Sequence, residues 1–203
     1  SALLSNTTGY WNTAIGTSAM AGGTGSNFNV AVGFGALHVN GGGDDNVAIG
    51  TRALRQNTTG SQNVAVGLCA MYTNTSGKFN TALGFHSMRN NTIGSCNVAV
   101  GYKTLYLNTT GVDNMAVGYN SMYANTTGRQ NVALGKNTLS ANVSGINNMA
   151  IGAYALSGNK ADENTALGST SLESNTTGTQ NVSIGAYSMR CNTTGNCNTA
   201  IGT

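Results

Sequence analysis

Apolar and polar positions recur along this chain with a period of 17 residues. A five-residue motif, Asn-x-Ala-aliphatic-Gly, appears twelve times, with Ser183 standing once for the Ala. Its glycines are Gly16, Gly33, Gly50, Gly67, Gly84, Gly101, Gly118, Gly135, Gly152, Gly168, Gly185 and Gly202, every interval being 17 except the 16 between Gly152 and Gly168. With the motif Asn as position 1, position 4 is always Ile, Val or Leu, and position 9 is always Leu or Met, from Leu3 to Met189. Position 12 is usually Asn and position 15 usually Gly, which gives the recurrent Asn-Thr-Thr-Gly of Asn57–Gly60 and Asn125–Gly128.

A register kept this strictly is what stacked coils need, and it predicts an all-β fold, a parallel β-solenoid of twelve 17-residue coils. Val64-Ala65-Val66 alternates, so the motif predicts a short strand with its two Val on one face and Ala65 on the other. The Gly that follows allows a tight turn with positive φ. Positions 8 to 10 predict a second short strand with the Leu or Met of position 9 inward. Asn-Thr-Thr-Gly predicts an outer turn, because Asn and Gly both tolerate left-handed backbone. Stacked about 4.8 Å apart, twelve coils make a rod of roughly 55 Å. On this reading positions 4 and 9 are the aliphatic stripes of the core, and the Asn of position 1 forms a ladder of stacked amides at a corner. The Ala column faces away from the Val/Ile stripe and excludes large side chains, which predicts close packing of a second backbone, a symmetry-related copy. The array is one unit over residues 1–203, with its one 16-residue coil at 148–163 and no atypical capping coil, which suits end-to-end stacking in a filament.

Composition narrows the function. Charged residues make up 7% of the chain, against roughly 25% in ordinary soluble domains. There are 29 Gly and no Pro, so large side chains are too sparse for one bulky core and a thin core along a rod fits better. The net charge of +3 comes from dispersed residues, without the basic tract or face of a nucleic-acid binder. No stretch reaches the roughly 20 apolar residues of a membrane helix.

Asn-Val-Ala-Ile-Gly at Asn46–Gly50 and its relatives, followed by Ala-Leu (Ala53-Leu54) or Ser-Met (Ser87-Met88), resemble the head repeats of trimeric autotransporter adhesins and related repeats of phage and viral tail fibres. The resemblance covers the whole chain, although those head repeats are commonly shorter than 17 residues. It implies a left-handed parallel β-roll trimerised about a three-fold axis, and attachment to host surfaces or matrix as the activity. The functional expectation is a structural or adhesive fibre segment, extracellular or on a cell or virion surface. Its partners would be copies of itself, in a trimer or head-to-tail filament, and a surface glycan or matrix protein.

The reactive side chains do not group as an enzyme's would. Asp44, Asp45, Asp113, Asp162, Glu163, Glu173, His38 and His86 fall in variable columns, with no nucleophile, base and orienting group together. No catalytic residue, metal site or cofactor is therefore expected. Cys69, Cys96, Cys191 and Cys197 show no Cys-x-x-Cys spacing; Cys191 and Cys197 flank one outer turn and are candidates for a loop disulfide, with free thiols as the alternative. The turn column carries N-glycosylation sequons at Asn6, Asn57, Asn74, Asn108, Asn125, Asn142, Asn175 and Asn192, with Asn90 and Asn181 elsewhere; plain turn chemistry accounts for the same residues. Two aromatic columns are candidate ligand contacts: Phe85, Tyr102 and Tyr119 at position 6, and Tyr72, Arg89, Tyr106 and Tyr123 at position 10. A Tyr/Arg stripe suits sugar rings or a protein partner. The Thr pairs Thr58-Thr59, Thr109-Thr110, Thr126-Thr127 and Thr176-Thr177 carry the alternative reading, an ice-binding solenoid.

Overall fold

The structure, a computed structural model, describes all residues 1–203. Each motif forms one three-residue strand: Thr13–Ile15 (β1), Val30–Val32 (β2), Val47–Ile49 (β3), Val64–Val66 (β4), Thr81–Leu83 (β5), Val98–Val100 (β6), Met115–Val117 (β7), Val132–Leu134 (β8), Met149–Ile151 (β9), Thr165–Leu167 (β10), Val182–Ile184 (β11) and Thr199–Ile201 (β12). They make one twelve-stranded parallel sheet in chain order. Like pairs with like, as in Ala65 with Ala82 and Val66 with Leu83. The register survives the short coil, where Ala150 still meets Ala166, because the missing residue is taken out of the outer turn. The chain is thus a β-solenoid of 17-residue coils without a helix.

Two expectations about the strand and its neighbour are corrected. The Ala of the strand points inward, not toward another chain: Ala31, Ala48, Ala65, Ala82, Ala99, Ala116, Ala133, Ala150 and Ala166 are all fully buried. The flanking aliphatics of positions 2 and 4 face outward, Ile49 and Ile151 each 39% exposed. The core is a layer of Ala from positions 3 and 8 against the Leu or Met of position 9. The parity of the strand explains this. Residues two apart share a face, so the Asn of position 1 and the Ala of position 3 go inward together. The second correction concerns positions 8 to 10, which form a turn and not a strand. Position 9 is inward, as expected, yet its backbone is left-handed, with φ 49° at Leu54 and 48° at Met88.

Left-handed backbone recurs at three non-glycine positions, 7, 9 and 17, in nearly every coil. The conformation costs an L-residue roughly 1–2 kcal/mol, so something must hold it. At position 9 two things do. The side chain is fully buried, as at Leu105 and Met122. The turned backbone also sends its N–H to the next coil, Leu105 N donating to Ser121 O at 3.0 Å. Such bonds carry the stack: of 128 backbone hydrogen bonds only 22 lie within the strands. Position 5 needs glycine for two reasons. Gly67 has φ 134°, and a Cβ there would stand 2.5 Å from Gly84 O.

Alongside the apolar layer run two columns of buried Asn. Asn97 at position 1 donates from Nδ2 to Asn80 Oδ1 (3.2 Å) and to Gly111 O (2.8 Å). Asn108 at position 12 donates to Asn91 Oδ1 (2.8 Å) and to the same Gly111 O (3.2 Å). Each coil therefore ties both ladders to one carbonyl, and the amides are satisfied without water. Position 8 tolerates polar residues on the same terms: Ser87 Oγ donates to Ala99 O (2.9 Å) and Thr104 Oγ1 to Gly118 O (2.8 Å). Where Ser183 replaces the strand Ala, Ser171 of position 8 meets it, Oγ to Oγ at 2.8 Å. The shortened turn interrupts the position-12 ladder once. Asn159 Nδ2 donates to Ala161 O instead, and Asn142 Oδ1 is left buried without a partner.

Candidate functional site: a cationic aromatic strip

Positions 6, 7 and 10 lie on the bend that follows the strand, and their side chains meet outside the core. Phe85, Tyr102 and Tyr119 stack in one column with centroids 5.3 and 5.1 Å apart and planes within 6°. Tyr106 and Tyr123 stack in the next, at 5.3 Å and 3°. Parallel coils present identical side chains at the sheet spacing, which is why the rings fall face to face. Position 7 bridges the columns. His86 stacks on Phe85 (3.9 Å) and lies 6.1 Å from Tyr106, and Lys103 Nζ sits over Tyr102 (5.3 Å) and Tyr106 (5.6 Å). At the other end Tyr72 is flanked by Arg89 (5.3 Å) and Arg55 (5.8 Å), and Arg55 Nη1 donates to its hydroxyl at 3.0 Å.

The electrostatics of the strip are one-sided. The single ion pair of the protein is Arg190 with Glu173, so Arg55, Arg89 and Lys103 have no carboxylate partner. Burial, then Arg89 and Lys103, hold the His86 imidazole below its ordinary 6.5, which keeps it neutral near pH 7. Five of the six acids (Asp44, Asp45, Asp113, Asp162 and Glu163) occupy positions 16 and 17, on the opposite side of the strand. The seven residues singled out in the sequence, Tyr72, Arg89, Tyr106, Tyr123, Phe85, Tyr102 and Tyr119, thus fall in one strip. Arg55, His86 and Lys103 were missed. Their signal was the spacing of three between positions 7 and 10, which reads as contact only once positions 7 to 10 are known to form a turn.

Other candidates are placed differently. The sequon asparagines of position 12 are ladder residues: Asn57, Asn74, Asn108, Asn125, Asn142 and Asn175 are fully buried, and each uses Nδ2 in hydrogen bonds such as Asn74 to Asn57 Oδ1 at 2.8 Å. A glycan on that nitrogen has no room in the folded coil and would remove a donor the ladder needs. Asn181 is buried likewise; Asn6, Asn192 and Asn90 are half-buried. All four cysteines are free thiols, Cys69 buried and Cys96, Cys191 and Cys197 exposed. Cys191 and Cys197 are unlinked, and Cys197 Sγ lies 3.3 Å from Gln180 Oε1. Threonines of position 13 turn their hydroxyls to the next coil's backbone, as Thr58 Oγ1 to Thr75 O (2.7 Å) and Thr109 Oγ1 to Thr126 O (3.1 Å). No group of three His, Cys, Asp or Glu is placed to hold a metal, the surface has no pocket, and no helix is long and apolar enough to cross a membrane. Compared with protein-family models, curated proteins and solved structures, the chain matches none.

Proposed function

We propose that this chain is a rigid structural and adhesive segment of a fibre, acting outside a cell or on a virion surface and built from copies of itself packed side by side. The observation that carries the reading is the exposed aliphatic strip. Positions 2 and 4 of every strand point outward and are almost all Val, Ile, Leu, Met or Thr. The exposed members include Met115, Val117, Met149 and Ile151. Solvent-facing strands ordinarily alternate with charged side chains, and continuous apolar area on a rod marks a contact surface. Twelve strands at about 4.8 Å and three residues across give roughly 500 Å². A standard interface needs about 800 Å² per partner, so the flanking columns 17 and 6 must join the contact.

Those flanks favour one direction of packing. The acids of positions 16 and 17 border one edge of the strip, and Arg52, Lys103 and Lys136 of positions 6 and 7 border the other. Copies related by rotation about an axis along the rod bring acidic edge to cationic edge. Antiparallel copies bring like to like. The parallel arrangement, three about an axis in the fibres this sequence resembles, is therefore the one electrostatics supports. The reading is structural rather than catalytic, since what every coil repeats is amide, alanine and aliphatic, none of which moves protons or attacks a substrate.

The test is the native mass by light scattering, with negative-stain imaging. A multiple of 20.6 kDa or visible rods is expected, and Val47→Glu, Val98→Glu and Val132→Glu together should reduce it to one chain with the circular dichroism unchanged. A wild-type monomer at every concentration overturns the assembly.

A further inference from the structure

We propose that the strip from Arg55 to Tyr123 is a binding track for an anionic polysaccharide, a carboxylated or sulfated sugar chain laid along the rod. The inference rests on the adhesive half of the proposed function and is independent of the assembly. Its first support is what the aromatic rings no longer offer. Tyr106 and Tyr123 present their faces to each other at 5.3 Å, and Phe85, Tyr102 and Tyr119 do the same. Arg55 and Arg89 crowd the Tyr72 ring, and Lys103 stands against Tyr102 and Tyr106. A neutral sugar or a nucleobase binds such rings by stacking on a free face, and here the faces are taken.

What the strip does offer is a line of donors. Tyr72 accepts from Arg55 at its oxygen, so its own hydroxyl hydrogen is free to donate. Guanidinium and ammonium groups only donate, and guanidinium matches planar or tetrahedral oxyanions in two-pronged fashion. With no acid among these residues, the matching ligand is rich in acceptors and negatively charged. It is also linear and repetitive. Arg55 and Arg89 are two coils apart, about 10 Å along the axis, a spacing suited to a chain charged on alternate sugars. A single small anion would find no enclosure, because the surface has no pocket.

The test passes the full chain over immobilised heparin, with dextran and single-stranded DNA as competitors. Retention on heparin that salt elutes, and that dextran does not relieve, is expected. The triple variant Arg55→Gln, Arg89→Gln, Lys103→Gln should bind at least tenfold more weakly. Lys78→Gln, Arg129→Gln, Lys160→Gln removes the same charge from other columns and should bind as wild type. Tyr106→Phe with Tyr123→Phe keeps the stacked rings, loses two hydroxyls and should weaken binding a few-fold, which serves if the first triple fails to fold. Absence of retention, equal loss in the two triple variants, or displacement by single-stranded DNA as effective as by free heparin each overturns the inference. Light scattering on the same samples separates it from the assembly: a monomer that still binds heparin refutes only the packing of copies, and rods that do not bind refute only the track.

Discussion

The buried amide ladder makes a sharp thermodynamic prediction, because one rung is already broken. Replacing Asn108 by Ala removes three hydrogen bonds: to Asn91 Oδ1 (2.8 Å), to Gly111 O (3.2 Å), and from Asn125 Nδ2 (2.8 Å). Gly111 O keeps Asn97 and Asn125 keeps Gly128 O, so those two losses are each about 1 kcal/mol. Asn91 Oδ1 loses its amide partner in a dry interior, which costs about 1–3 kcal/mol. The expected total is about 4 kcal/mol. Asn142→Ala is the internal control. It loses the bonds to Asn125 Oδ1 (3.2 Å) and Gly145 O (3.1 Å) and orphans Asn125 in the same way. Its own Oδ1, however, has no partner to lose, and deleting an unsatisfied buried acceptor is a gain. Asn142→Ala should therefore cost about 2 kcal/mol less than Asn108→Ala, despite the same change of volume.

At roughly 2–4 °C per kcal/mol for a chain of this size, the two melting temperatures should differ by about 6 °C in thermal melts followed by far-ultraviolet circular dichroism. Amide hydrogen exchange should localise the opening to the coils on either side of the substitution, since each coil touches only its neighbours. Equal melting temperatures for the two variants would refute the reasoning. The ladder would then contribute by filling space, and the amide-to-amide bonds would be incidental.

Three further outcomes follow from the same geometry. Ala99→Val overpacks a fully buried strand centre and should cost about 1–3 kcal/mol, while Val98→Thr on the outward face should change urea stability by under about 0.5 kcal/mol; the reverse order would mean the strand faces the other way. Gly67→Ala forces a side chain onto φ 134° and against Gly84 O, so a loss of at least about 2 kcal/mol in the same titration is expected, and a neutral result would refute the requirement for glycine at position 5. His86 binds its proton less readily in the fold than in the unfolded chain, held down by burial, Arg89 and Lys103. Its contribution is complete above its ordinary 6.5 and is lost as pH falls below that value; His86→Gln should flatten the stability profile over that window, and an unchanged slope would refute the assignment.

The sequence discloses the frame of this protein unusually well, because a strict period leaves one way for coils to stack. The inward Leu or Met, the positive-φ Gly and the Asn ladder are all readable from columns. The facing of the strand is where the first reading fails, and the reason lies in three residues. Asn63, Ala65 and Gly67 share parity, so an inward amide ladder requires an inward Ala and puts Val64 and Val66 outside. Burial by size alone prefers Val, but the interior between Ala65 and Met71 is too thin for it. Left-handed backbone at Leu54 or Met88 is not readable, since no local preference of Leu or Met favours it; the neighbouring coil imposes it through a buried side chain and a hydrogen bond across the stack. The aromatic columns are visible as Tyr repeated every 17 residues, whereas their cationic bridges depend on that same turn and are not.

This division of labour bears on how such a rod can acquire a ligand. Columns 1, 3, 5, 9, 12 and 15 are held by amide geometry, glycine conformation and an interior one Ala deep, and a change in any of them propagates to the coil above and below. Columns 6, 7 and 10 contribute exposed or half-buried side chains that touch only one another. Their replacement leaves the 128 backbone bonds in place, and surface substitutions of this kind ordinarily shift stability by no more than about 0.5 kcal/mol. A strip of stacked rings and unpaired cations can therefore be assembled coil by coil without disturbing the frame. Since unpaired positive charge beside positive charge does nothing for the frame itself, its concentration around Tyr72 and Tyr106 argues for a contact outside the chain.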